Sequence, residues 1–130
     1  MTSLLKQISQ KRAQYIGGLL ILLASGLPWW LTDYRTYSLN STNTYISIGS
    51  CFLGAFILSL FTGLSFIEKL ATPLIAHLIA FVIKLVIDGL EDPTNHNLFP
   101  FEIIFYMVID AVGCVVLIFL GGLIRKMFRK

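Results

Sequence analysis

The sequence predicts an all-α membrane protein: a bundle of four transmembrane helices joined by short loops, with both termini on the same side. Three observations lead there. The chain has 130 residues, of which 56% are hydrophobic and only 13% charged, where a soluble domain is about a quarter charged. Its mean hydropathy is +0.80. Four apolar stretches, each near the roughly 20 residues needed to cross about 30 Å of hydrocarbon, fill a single membrane domain over residues 1–130 and leave little for anything else. A soluble bundle would need a polar face on each helix, whereas "YIGGLLILLASGLPWWL" and "CVVLIFLGGLI" are apolar all round.

The first span is expected from about Gln14 to Leu31. Lys6, Lys11 and Arg12 form a basic leader, but the apolar run ends in "GLPWWLTDY" without a small-x-small cleavage site, so an uncleaved helix is expected. Trp29, Trp30, Tyr34, Tyr37 and Tyr45 cluster where the first span ends and the second begins. That is the place of an aromatic belt at headgroup level.

The second span is expected from about Tyr45 to Phe66. Ala55, Ser59 and Gly63 recur at four-residue spacing, and Ser50 and Gly54 form another such pair. Small residues at this spacing let helices approach closely in lipid, so the stripe reads as packing within the bundle, with a homodimer face as the alternative. Counting rise along the helices puts Cys51 about 10 Å and Cys114 about 20 Å from the outer face, which argues against a disulfide between them.

The third span, from about Leu70 to Gly89, carries His77, Lys84, Asp88 and Glu91 at separations of seven, four and three. A helix turns about 100° per residue, so the four share one face. In the fourth span, from about Pro100 to Leu123, Glu102, Tyr106, Asp110 and Gly113 form a second such stripe. Two neighbouring antiparallel spans, each with one polar face, are expected to turn those faces together. Depth puts Lys84 about 8–9 Å and Asp110 about 13–15 Å below the outer surface, so Lys84 is expected to pair with Asp88 or Asp110. An unpaired charge at mid-membrane costs about 2.5–3.5 kcal/mol. A lone histidine there is most simply a hydrogen-bonding group between helices, and no second histidine at that depth supports a metal site.

The loop "LEDPTNHNLFPFE" places Glu91, Asp92 and His96 at an external acidic mouth, but its spacing matches no zinc or calcium loop. Basic residues set the orientation. Lys6, Lys11, Arg12, Lys69, Arg125, Lys126, Arg129 and Lys130 fall on one side, with the second connection around Glu68 and Lys69, and only Arg35 falls on the other. Short loops rich in Lys and Arg stay cytoplasmic, so both termini are expected inside the cell, in an inner membrane. The net charge of +3 then reflects topology and contact with the lipid bilayer rather than nucleic acid.

No CxxC, HExxH, GxSxG or P-loop pattern occurs. The functional expectation is a small multi-pass protein without catalysis, cofactor or metal, serving as a subunit or stabilising partner of a membrane complex. Two alternatives use the polar residues directly. One is a small proton- or ion-coupled transporter working through Lys84, Asp88 and Asp110, with His77 further inward. The other is an intramembrane enzyme acting on a lipid or isoprenoid, with Glu102, Asp88 or His77 as acid and base.

Overall fold

The computed structural model describes residues 2–32, 41–91 and 99–128. Over these the chain is all-helical, with α1 at Thr2–Trp30, α2 at Thr42–Phe61, α3 at Phe66–Glu91 and α4 at Phe99–Phe128. Three of them, α2, α3 and α4, are long and apolar enough to cross a membrane. In α1 the uncharged run from Ile16 to Leu27 is short and interrupted by Ser25, bounded by Gln14 and Tyr15 on one side and by Pro28, Trp29 and Trp30 on the other.

The helices differ from expectation at the second connection. α2 stops at Phe61 rather than near Phe66, and residues 62–65 form the turn before α3. A sequence signature explains this. Ser65 accepts from the Glu68 backbone N–H at 3.2 Å, and Glu68 Oε2 accepts from the Ser65 N–H at 2.9 Å. This reciprocal S-x-x-E capping box satisfies donors that a helix N-terminus leaves free. Ser41 caps α2 in the same sense, accepting from the Thr44 N–H.

Contacts fix the relative directions. α1 and α2 are antiparallel, with the Ser47 hydroxyl on the Ser25 carbonyl at 2.6 Å and Asn43 on Thr32 near one end. α1 and α3 are parallel, with Lys11 on Glu68 at 2.8 Å at one end and Lys84 on the Thr32 carbonyl at 2.6 Å at the other. α2 and α4 are also parallel, joined by Ser59 to the Ile118 carbonyl at 2.7 Å and by Arg125 to the Thr62 carbonyl. The end bearing Thr32 is called the upper end below.

The helices are staggered. Cys51 lies nine residues from the start of α2 and Cys114 fifteen from the start of α4, yet their sulfurs are 3.7 Å apart. At about 1.5 Å per residue, α4 projects about 9 Å past the upper end of α2. α3 rises beyond α1 in the same way, because Lys84 meets Thr32 while the helix continues to Glu91. Two expectations are corrected by this stagger. The cysteines face each other instead of lying at different depths, although both are free thiols. Trp29, at the upper end of α1, which stops below that of α3, is fully buried instead of standing in a headgroup belt. It stacks on His77 at 4.8 Å and meets Phe81 and Tyr106 edge-on at 5.3 and 5.5 Å.

Small residues set the close approaches. Ala55 and Ser59 are buried, and a Cβ added at Gly121 of α4 would stand 3.0 Å from the Phe56 carbonyl and 2.9 Å from Ser59 Cβ. Only a hydrogen fits there. Gly63 is different from its expected partners in the stripe: it lies beyond α2, is exposed, and donates its N–H to Gln10 of α1 at 2.7 Å.

The interior holds polar side chains beside its apolar clusters, and apolar side chains cover much of the exterior. Ser25, Ser47, His77, Lys84, Asp88 and Asp110 are buried, while Leu19, Leu53, Ile79, Val86, Val112 and Phe119 stand exposed on the outside. Exposed apolar groups over so much of the exterior are what a lipid-facing surface requires.

Candidate functional site

Among the described residues the buried ionisable members of the two stripes fall into an inner group and an upper pair. In the inner group His77 and Asp110 are both completely buried and joined through His77 Nδ1 and Asp110 Oδ2. The other ring nitrogen, Nε2, lies 2.9 Å from Ser47 Oγ. Ser47 Oγ is 2.6 Å from the Ser25 carbonyl oxygen. Each helix thus supplies one member of a single chain: Ser25 from α1, Ser47 from α2, His77 from α3 and Asp110 from α4.

Proton bookkeeping assigns the roles in this chain. A carbonyl only accepts, and Ser47 has one hydroxyl proton, so that proton points at Ser25. Ser47 Oγ must then accept from His77, which places a proton on Nε2. The contact between Nδ1 and Asp110 requires one more proton, held either by the carboxylic acid or by the imidazole ring. In both forms the pair is neutral overall, which is what lets it lie where an isolated charge costs about 2.5–3.5 kcal/mol. Asp110 Oδ1 is buried and has no hydrogen-bond partner among the described residues.

The sulfurs adjoin this group. Cys51 Sγ, one His77 ring nitrogen and one Asp110 oxygen all lie within 4.8 Å of one another. The Cys51 thiol donates to the Pro73 carbonyl at 3.6 Å. Cys114 Sγ is 3.7 Å from Cys51 Sγ and 3.9 Å from the Cys51 carbonyl.

The upper pair is Lys84 and Asp88, one turn apart on α3 and in contact at 2.7 Å. Lys84 also donates to the Thr32 carbonyl at 2.6 Å. Lys84 pairs with Asp88, and Asp110 takes His77. Tyr106 is buried in the aromatic cluster with Trp29 and Phe81, between the two groups. Glu102 is only half-buried in the first turn of α4, and Glu91 is exposed at the end of α3. Asp92 and His96 lie outside the described residues.

Sequence reading found His77, Asp110, Lys84 and Asp88 from their helical spacing, but it missed Ser25, Ser47 and Cys51 as their neighbours. Ser25 and Ser47 are single small hydroxyls in apolar helices, and nothing in their spacing separates them from packing residues. At the lower end Lys11 and Glu68 form an exposed pair at 2.8 Å. The hydrogen bond to Glu68 holds the Lys11 ammonium above the ordinary lysine range. Comparison with family models, curated proteins and solved structures finds no match.

Proposed function

We propose that the chain is a four-span protein of the inner membrane, with both termini in the cytoplasm, that acts without catalysis as a subunit or stabilising partner of a membrane complex. The carrying observation is the chain from Ser25 through Ser47 and His77 to Asp110, fully buried and drawing one residue from every helix. Polar groups that act on a substrate keep a face toward it; His77 and Asp110 have no exposed surface, and both ring nitrogens of His77 and one oxygen of Asp110 are engaged within the chain. The orientation draws support from charge, since Lys6, Lys11, Arg12, Lys69, Arg125 and Lys126 all belong to the lower end.

Geometry also weighs against the two alternatives. The transporter alternative needs Lys84, Asp88 and Asp110 to act together, whereas Lys84 pairs with Asp88 and Asp110 pairs with His77. For the enzyme alternative, His77 is wholly buried between Ser47 and Asp110, Asp88 is held by Lys84, and Glu102 is half-buried in the first turn of α4.

The test is the mass of the native assembly. The chain, tagged at its chromosomal level of expression and extracted in mild detergent, is expected to run with a stoichiometric integral-membrane partner. A monodisperse 14.6 kDa chain in its detergent micelle, with no partner under any mild extraction, would overturn the subunit reading.

A further inference from the structure

We propose that Cys51, His77 and Asp110 form a binding site for one four-coordinate divalent transition-metal ion of the zinc class, enclosed between α2, α3 and α4. This goes beyond the subunit reading and does not depend on it.

Three observations converge on the site. The donor atoms lie within 4.8 Å of one another and come from three different helices. Asp110 Oδ1 is buried without a hydrogen-bond partner among the described residues, on a side chain of zero exposure. A carboxylate that binds a metal through both oxygens satisfies that atom. Third, the network on the far side of the ring presets the ligand. With Nε2–H donating to Ser47 at 2.9 Å and Ser47 to the Ser25 carbonyl at 2.6 Å, Nδ1 is the nitrogen that faces Asp110, and loss of the shared proton frees its lone pair for a metal. A metal-bound histidine characteristically gives its other N–H to an acceptor that fixes tautomer and ring angle.

Charge selects the ion. Binding releases two protons, one from the Cys51 thiol and the one shared between His77 and Asp110. The resulting thiolate and carboxylate balance a 2+ ion, leaving the filled site neutral in its apolar surroundings. A monovalent copper ion would leave one negative charge uncompensated. Calcium and magnesium favour six or more oxygens, which a sulfur and an imidazole do not supply. The ligands are then Cys51 Sγ, His77 Nδ1 and both oxygens of Asp110, a set of sulfur, nitrogen and oxygen donors that suits zinc. Cys114, 3.7 Å from Cys51 Sγ, keeps its proton and donates to the thiolate. The site's enclosure implies loading while the helices assemble, so the metal must be supplied during expression.

The experiment uses the whole untagged chain, expressed in medium with cobalt replacing zinc and purified in detergent. About one cobalt per chain is expected, with a thiolate-to-cobalt charge-transfer band in the near ultraviolet and intense visible bands of four-coordinate cobalt. Cys51→Ala, a small change checked for helical content, should abolish the charge-transfer band, while Cys114→Ala should retain it. Ser47→Ala should keep the spectrum and lower affinity about tenfold or more, measured by competition with a chelator. Wild-type protein with no bound cobalt overturns the proposal. So does bound metal whose spectrum is unchanged in Cys51→Ala, which would be adventitious, and so does finding Cys51 and Cys114 joined as a disulfide.

Discussion

The inner group around His77 and the upper pair of Lys84 and Asp88 solve the same problem in different surroundings. Both are buried opposite-charge or proton-sharing pairs of zero net charge. The inner pair joins α3 to α4 and continues through Ser47 to α1, so it fixes three interfaces at once. The upper pair lies within α3 and, among the described residues, reaches to the Thr32 carbonyl just past the end of α1. Position makes the difference: the inner group has no exposed surface, whereas Lys84 lies near the level where α1 ends, and a long lysine can shift its ammonium outward. One is a clasp between helices and the other a local neutralisation.

Removing one partner from each group is the sharpest way to break this comparison. Asp110→Ala leaves His77 and Ser47 with a broken chain in a closed interior, and a loss of about 3–5 kcal/mol is expected, as for breaking other buried pairs. Reversible unfolding in mixed micelles measures it. A loss under 1 kcal/mol would mean that the inner group does not hold the helices together.

Coupling sharpens the distinction further. His77→Ala and Asp110→Ala should be strongly non-additive, with an interaction energy of about 1–3 kcal/mol, whereas Lys84→Ala and Asp110→Ala should add within about 0.5 kcal/mol. Coupling between Lys84 and Asp110 would merge the two groups into one seam. Lys84→Ala alone is expected to destabilise by about 1–2 kcal/mol, because Asp88 near the rim can recover water or a proton.

Ser47→Ala removes the link to α1 but leaves the His77–Asp110 contact, so about 0.5–1.5 kcal/mol is expected in the same assay. The smallest effect should come from Lys11→Ala at the exposed lower end, with unfolding indistinguishable from wild type at physiological salt. A clear loss there would show that the lower end contributes to packing as the buried groups do.

Much of the fold was legible because membrane-crossing helices are local objects. Their length and apolarity are written in consecutive residues, and the 100° turn per residue puts His77, Lys84 and Asp88 on one face without reference to any other helix. The capping box at Ser65 and Glu68 was equally readable, and taking the second connection around Glu68 and Lys69 overlooked it. Trp29 was read as a belt residue because the sequence places it at the end of an apolar run. That inference assumed that all helices start and stop at common levels.

Composition and spacing by themselves determined that this is a helical protein with apolar segments of membrane length, and which residues of α3 and α4 form polar faces. Only the tertiary structure decided the stagger of about 9 Å between α2 and α4, and with it the partners. Asp110 meets His77, Cys51 meets Cys114, and Ser47 closes the chain to Ser25. The physical reason is that a helix's own hydrogen bonds fix angle and rise within a segment, whereas the axial offset between helices is set by side-chain packing such as Ser59 against Gly121. One turn of offset exchanges every partner across an interface while leaving each helix unchanged.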